Sequence, residues 1–310
     1  MSTKVKGKKV LVTGISGFVG NALGKKLEKD GVELFGTSRT MQKKKIFTGD
    51  ILDYTRLNDF VKRNKIDAII HLAGESLVES GQSDPFSTFK INTEGTLNIL
   101  EIARKNNLER VIIASSSHVY GKNKVPYYEG YMPRPSRPYE TSKACTDLIA
   151  QSYSETFNLP VLIPRFVNIY GPGDLNFTRL IPKTIKTLLA GEKPEMWGGQ
   201  AMREYLYVDD AISAYLKLLA VDLQKVDKNR IFNIGSGDVI SVKELIEKII
   251  NKSGIESSIN KIDDKRELEI NTQYVSTKKT KRVLQWEAKT HLDEGLTKTI
   301  AWYRKFFYNN

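Results

Sequence analysis

Val10-Leu11-Val12-Thr13-Gly14-Ile15-Ser16-Gly17-Phe18-Val19-Gly20 is the stretch on which the reading of this chain turns. A short apolar run breaks into three glycines spaced three apart and then continues with helical periodicity, which predicts a strand, a tight turn and a helix start. Glycines at 14 and 17 let backbone approach a pyrophosphate, and the free N–H groups of a helix N-terminus suit an anion. The spacing is Gly-x-x-Gly-x-x-Gly rather than Gly-x-Gly-x-x-Gly, so a turn that merely turns stays open. The Val-rich strand before it, the helix after it and a second strand at Gly31–Gly36 favour a dinucleotide.

Outward from this turn, the first half alternates strand-like runs (9–13, 32–36, 67–72, 110–115, 160–165) with helical stretches near 18–29, 55–64, 86–106 and 140–157. Such alternation predicts an α/β fold, a Rossmann-like doubly wound parallel sheet with right-handed crossovers. Ligands of these sheets bind beyond the carboxyl ends of the strands, where Gly14, Arg39, Asp50, Ala73 and Ser116 fall. After Tyr170-Gly171-Pro172-Gly173 the pattern is less regular, with helices near 178–190, 209–220, 241–252 and 292–307 and a short strand near 230–234. Residues 1–170 are therefore expected to form the dinucleotide-binding domain, and 171–310 mainly a smaller C-terminal substrate-binding lobe, with some segments returning to the large domain.

The chain has 310 residues, 40% hydrophobic and 27% charged, enough for a large core. No apolar run approaches membrane-spanning length and no export signal opens the sequence, so a cytoplasmic protein without membrane contact is expected. One cysteine, Cys145, cannot form an internal disulfide, in keeping with a reducing compartment. Lys plus Arg outnumber Asp plus Glu by 48 to 36. The lysines are dispersed without the interleaved aromatics of a base-stacking surface, which argues against nucleic acid. Three histidines (His71, His118, His291) and one cysteine lack metal-ligand spacing, and no metal is expected.

Tyr139-Glu140-Thr141-Ser142-Lys143 puts a phenol and an ammonium on one helix face, and a nearby ammonium is expected to lower the phenol pKa towards a value useful for proton transfer. Ser115-Ser116-Ser117-His118-Val119-Tyr120-Gly121 adds a small-hydroxyl cluster where a strand ends. In these pieces the chain resembles an extended short-chain dehydrogenase/reductase of the nucleotide-sugar epimerase and dehydratase group. The matching residues are Thr13-Gly14-x-x-Gly17-Phe18-x-Gly20, Gly49-Asp50-Ile51, His71-Leu72-Ala73-Gly74, Asn92-x-x-Gly95-Thr96, Ser116 with Val119-Tyr120-Gly121, Tyr139-x-x-x-Lys143, Arg165-x-x-Asn168-x-Tyr170-Gly171-Pro172-Gly173 and Arg203-Glu204-Tyr205-x-Tyr207-Val208-Asp209-Asp210.

That resemblance implies a catalytic set of Tyr139 as acid/base at the sugar oxygen, Lys143 binding the nicotinamide ribose and tuning the tyrosine, and Ser116 holding the reacting oxygen. It implies cofactor contacts at Gly14, Ser16, Gly17, Phe18, Val19, Leu72, Ala73 and Asn92, with Asp50 and Ile51 at the adenine. Thr37-Ser38-Arg39 stands where relatives that prefer NAD carry an acidic residue, so NADP is favoured over NAD, with Ser38 and Arg39 able to bind a 2′-phosphate. Asn168 and Arg203 resemble the positions that hold the diphosphate of a nucleotide-diphosphate sugar substrate. Arg266 is a second such arginine or a surface ion pair.

The expected chemistry is hydride transfer at C4, of 4-epimerase or 4-keto reductase type. The frame from Tyr139 through Asp174-Leu175-Asn176 and Ile181-Pro182 to Gln273-Tyr274-x-Ser276 resembles CDP-glucose 4,6-dehydratases. Such dehydratases usually carry Asp or Glu one or two residues after the Ser/Thr, where this chain has Ser117 and His118, both counted with the substrate side. His118, or Glu75 at the same sheet edge, is the candidate extra acid/base for a dehydratase. A non-catalytic NADP-binding sensor or RNA-associated scaffold is the alternative of another class. The resemblance also implies a homodimer through a four-helix interface built from the helices near 86–106 and 140–157.

Overall fold

The computed structural model describes residues 5–262 and 270–308, so Arg266 lies outside the described residues. In the first half, strands β1 (Lys9–Thr13), β2 (Glu33–Ser38), β3 (Ile46–Thr48), β4 (Ala68–His71), β5 (Arg110–Ile113), β6 (Ser115–Ser116) and β7 (Val161–Phe166) alternate with helices. These are α1 (Phe18–Lys29), α2 (Tyr54–Asn64), α3 (Val78–Ser83), α4 (Pro85–Phe89), α5 (Gly95–Lys105) and α6 (Pro138–Phe157). Later come β8 (Asn168–Tyr170), α7 (Leu180–Leu189), β9 (Glu195–Trp197), β10 (Met202–Tyr207), α8 (Val208–Ala220), β11 (Ile231–Ile234), β12 (Val239–Ser241), α9 (Val242–Ser253), β13 (Asn260–Ile262), β14 (Thr272–Gln273), α10 (Lys278–Leu284) and α11 (Leu292–Tyr308).

The main sheet runs β11-β7-β5-β4-β1-β2-β3, with β6 also pairing β7, and its ladders are parallel. A run such as Lys9–Thr13 becomes a central strand because both of its faces are apolar: Val10 and Val12 enter one buried cluster while Leu11 enters the other, on the opposite face. From β1 the chain winds out through β2 and β3, then crosses back to β4 on the other side. The order therefore reverses between β1 and β4, and a doubly wound sheet opens its ligand crevice at that point, beyond the carboxyl ends of the two strands.

The second half splits between two places. β11 returns to the edge of the main sheet, Ile231 opposite Ile163. β8, β10, β12 and β14 make a separate four-stranded sheet, with Tyr205 opposite Asn168, and β9 pairs β13. The single helix expected over 86–106 is interrupted: between α4 and α5 lies a π-helical turn, Lys90–Glu94. Its wider winding is a local departure of the kind that gathers at functional sites. It brings Asn92 inward, where the side chain is 2% exposed. Among the described residues, no helix is long and apolar enough to cross a membrane.

Candidate active site

The glycine turn has the geometry of a cradle. Gly14 has φ +69°, a left-handed conformation that disfavours any side chain, and a Cβ on Gly20 would sit 2.1 Å from the Gly14 carbonyl oxygen. The first turn of α1 therefore lies directly on the bend. Gly17 is the N-cap of α1 and supplies no side-chain hydrogen bond, the first turn carries no acidic residue, and Ser16 and Gly17 are exposed. Open N–H groups at a helix start fit a dinucleotide pyrophosphate.

Across the switch point, Thr13 ties β1 to β4. Its hydroxyl accepts the N–H groups of Leu72 and Ala73, both at 3.0 Å, and is 2.8 Å from His71 Nδ1. With both acceptances made, its own proton goes to the imidazole. Burial, and secondarily the Lys143 charge, hold the His71 pKa down to about 3, so this ring is a neutral structural acceptor.

Beyond β1, β4 and β5 opens a cavity of about 420 Å³ that gathers residues distant in sequence: Phe18 and Val19, Leu72, Ala114–Ser116, His118, Tyr139, Lys143 and Asn168. A larger open cleft of about 700 Å³, lined by Asp238, Glu244, Lys248 and His291, contains none of the expected catalytic residues. Tyr139 and Lys143 reach the smaller cavity because α6 starts at Pro138, a residue suited to the first helical position, and they fall one turn apart on its inner face. Ser116 reaches it from the end of β6; its Oγ caps the short 3₁₀ turn Ser117–Tyr120 by accepting the His118 N–H at 3.2 Å.

The electrostatics correct one expectation. Burial raises the Tyr139 pKa, opposed by the Ser116 hydroxyl and then by the charge of Arg179. The Lys143 Nζ donates to the Ala114 carbonyl at 3.1 Å, and burial brings its own pKa down to about 8. For Tyr139, desolvation outweighs the Ser116 bond and the Arg179 charge, so the net direction is upward rather than the expected lowering.

Other expected residues fall as follows. Asn92 is committed to protein partners: Oδ1 accepts the Glu75 N–H at 2.8 Å, and Nδ2 donates to the Glu75 carbonyl and the Ser142 hydroxyl. The Glu75 carboxylate is likewise engaged, accepting the Ser76 and Leu77 N–H groups. Ser38 is buried, donates to Ser16 and accepts from the Thr40 and Met41 N–H groups, whereas Arg39 is exposed. Asp50 closes a turn by accepting the Leu52 N–H, and Ile51 is buried against Gly95. Ser117 is buried at 3% exposure behind the wall that His118 lines. Asn168 lines the cavity and donates to the Glu204 carbonyl; Arg203, on β10, donates to the Met202 carbonyl and is not part of the cavity wall.

Two residues were not read from the sequence. Arg179, at the start of α7, pairs with buried Asp174 at 3.0 Å and donates to the Ser76 hydroxyl, bridging the loop after β4 to the segment after β8. Glu140, 3% exposed, faces His118. Glu140 stands inside the quoted Tyr-to-Lys motif and Arg179 just past Asp174-Leu175-Asn176, yet only the folded chain shows what each meets. Among the described residues no group of three or more His, Cys, Asp or Glu side chains is placed to hold a metal ion.

The profile of the NAD dependent epimerase/dehydratase family matches residues 10–235. The chain is 29% identical to dTDP-D-glucose 4,6-dehydratase of Bos taurus, over 97% of this chain and 90% of the relative. The structure of UDP-glucose 4-epimerase from Thermotoga maritima, with UDP-glucose, superposes with a TM-score of 0.89 at 26% identity, covering 96% of this chain and 99% of that one. MoeE5 in complex with UDP-glucuronic acid and NAD gives 0.88 at 27% identity, covering 96% of this chain and all (100%) of that one.

Proposed function

As a member of the NAD dependent epimerase/dehydratase family the chain is a nicotinamide-dependent enzyme, and we propose that it moves hydride at C4 of a nucleotide-diphosphate sugar, in the manner of a 4-epimerase or 4-keto reductase. The observation that carries this reading is the convergence of Tyr139, Ser116 and Lys143 in one cavity at the switch point of the sheet, beside the glycine cradle. Gly14, Gly17 and the N–H groups opening α1 suit the cofactor pyrophosphate, Leu72 and Ala73 its passage into the cavity, Asp50 and Ile51 its adenine, and Lys143 its nicotinamide ribose. The nicotinamide, when bound, supplies a reversible hydride acceptor.

The chain's own residues handle the proton and the geometry. Ser116 holds the sugar oxygen, and Tyr139 takes the proton from it as C4 becomes a carbonyl. Burial favours the protonated phenol, and the Ser116 hydroxyl and then the charge of Arg179 favour its ionised form. Arg179 and Asn168 face the remainder of the substrate, and residues after 171 form its lobe. At the end of β2, with Ser38 already bonded, discrimination falls on exposed Arg39, and NADP is our reading over the NAD carried by solved relatives. The apolar side chains left exposed on α4, α5 and α6 support a homodimer, and single free Cys145 a reducing cytoplasmic setting. The relatives named above are enzymes, which leaves the scaffold expectation without support.

A second reading, 4,6-dehydration, is favoured by the placing of His118 in the cavity wall with Glu140 behind it. Glu75, occupied as a backbone acceptor, supports it less. The test is incubation with UDP-, dTDP- and CDP-sugars and either NAD or NADP, followed by absorbance of reduced cofactor and mass spectrometry. A bound 4-keto sugar is expected; cofactor that stays oxidised with every sugar contradicts the reading.

A further inference from the structure

We infer that Asp147 and Arg165, with Ser115, are positioning residues of this cavity: their contact fixes where Tyr139 stands relative to Ser116, and so governs the rate of proton transfer rather than the binding of ligands. The inference rests on the reading of Tyr139 and Ser116 given above. These two groups come from different elements, α6 and β6. A misplacement of about 1 Å between reacting groups is enough to slow a reaction on the order of 100-fold, so the helix has to be held in register against the strand.

Asp147 is placed to do so. Tyr139, Lys143 and Asp147 recur every four residues and share one face of α6. Asp147 therefore lies two turns, about 12 Å, beyond Tyr139 on the same stiff rod. Its Oδ2 accepts the Ser115 hydroxyl at 2.7 Å and Arg165 Nε at 2.8 Å, while Oδ1 accepts Arg165 Nη2 at 2.8 Å and Gln151 Nε2 at 2.6 Å. Ser115 is the chain neighbour of Ser116, and in the β6–β7 ladder it stands opposite Arg165 itself. One carboxylate thus joins α6, β6 and β7. Arg165 carries the tie further: its guanidinium lies 4.7 Å from the centroid of the Tyr120 ring, in the turn that follows Ser116, and the Tyr120 hydroxyl donates to Asn233 Oδ1 on β11 at 2.6 Å.

Stability alone does not account for this arrangement. Asp147 is 0% exposed and Arg165 1%. An ion pair so enclosed loses in desolvation much of what it gains by attraction, and apolar side chains of the same volume serve a core as well. What apolar side chains lack is direction. A two-pronged guanidinium–carboxylate contact holds one distance and one angle, whereas a seam of leucines permits sliding along the helix axis. Neither Asp147 nor Arg165 belongs to the cavity wall, so both act through Tyr139 and Ser116 rather than on the ligands.

The test compares variants with NADP or NAD bound, each checked by circular dichroism. Ser115→Ala cuts the link to the strand of Ser116 and leaves the ion pair whole, so it stays informative where Asp147→Asn, which leaves a buried guanidinium unpaired, does not fold. With UDP-, dTDP- and CDP-glucose, kcat is expected to fall about 10-fold in Ser115→Ala and about 100-fold in Asp147→Asn, with KM and cofactor affinity changed by less than about threefold. Asp147→Glu, which keeps the charge, is expected to recover most of the rate. The carbon-13 resonance of Tyr139 Cζ, assigned by its loss in Tyr139→Phe, reads the surroundings of the phenol without turnover. It is expected to move in Ser115→Ala and Asp147→Asn and to stay near its wild-type position in Asp147→Glu. Lost stability with kcat and this resonance both unmoved marks a merely structural pair and overturns the inference, as does a loss that falls on KM alone. Cofactor that stays oxidised with wild type and every sugar contradicts the C4 reading instead, and the Tyr139 resonance then decides the positioning by itself.

Discussion

At the scale of single residues, the site is governed by what burial does to charge. His71, ordinarily titrating near 6.5, is held to about 3 by enclosure and by Lys143. The unfolded chain therefore binds a proton below pH 6.5 that the folded chain refuses, and stability falls as pH falls towards 3. By pH 4 this one group costs on the order of 3 kcal/mol. Urea unfolding at pH 7 and pH 4 is expected to show a smaller loss in His71→Gln than in wild type; equal losses contradict the assignment. Under the proposed reading, Arg39 sets the cofactor preference. Side-by-side titrations are expected to give tighter binding of NADP than NAD, with the order reversed in Arg39→Asp, because a carboxylate there repels a 2′-phosphate and accepts from a 2′-hydroxyl. Tighter binding of NAD by wild type overturns the preference.

At the scale of elements, the strand–turn–helix at 9–29 works because α1 can rest on the bend it leaves. A methyl on Gly20 would meet the Gly14 carbonyl oxygen at 2.1 Å, and backbone cannot move aside as a side chain can. Gly20→Ala is expected to cost about 1–3 kcal/mol in urea unfolding and to weaken dinucleotide binding by calorimetry; unchanged affinity contradicts the cradle. The same elements show how far the sequence could be read. Strands such as 9–13 and 231–234 and helices such as 18–29 and 208–220 were legible because each has its own periodicity and its own breakers. The π-helical turn at Lys90–Glu94 was not, because the reason for it lies elsewhere: Asn92 is drawn in by the Glu75 backbone and Ser142. β3 and the pairing of β8 with β10 were missed for a like reason, since three-residue strands have no period of their own and exist through distant partners. In the site, Tyr139, Lys143 and Ser116, singled out by spacing and family resemblance, line one cavity; the Arg179–Asp174 and His118–Glu140 pairings could not be read ahead, because they depend on how α6, α7 and the turn after β6 face one another.

At the scale of the whole molecule, three helices of the large domain carry exposed apolar side chains. Leu97 on α5 and Leu148 and Phe157 on α6 are 41%, 50% and 50% exposed, and Phe86 on α4 is 77% exposed. Helices offering such residues bury them well against a copy of themselves, which suits an isologous four-helix contact. Light scattering is expected to give a dimer for wild type and a monomer for Leu148→Glu; a monomeric wild type contradicts the proposed assembly. The rest of the molecule serves the switch point: the main sheet places the glycine cradle and Thr13–His71 tie on one side, and α6 brings Tyr139 and Lys143 from the other. The measurement that tests this most directly is the position of a deuterium label, initially at C4 of nucleotide glucoses, in a single turnover with the protein and oxidised cofactor quenched while the C4 ketone is present, before re-reduction can return the label to C4. The account predicts label on the nicotinamide with wild type and a rate lower by about 100-fold or more with Tyr139→Phe; label that stays on C4, or transfer unchanged by the substitution, would contradict it.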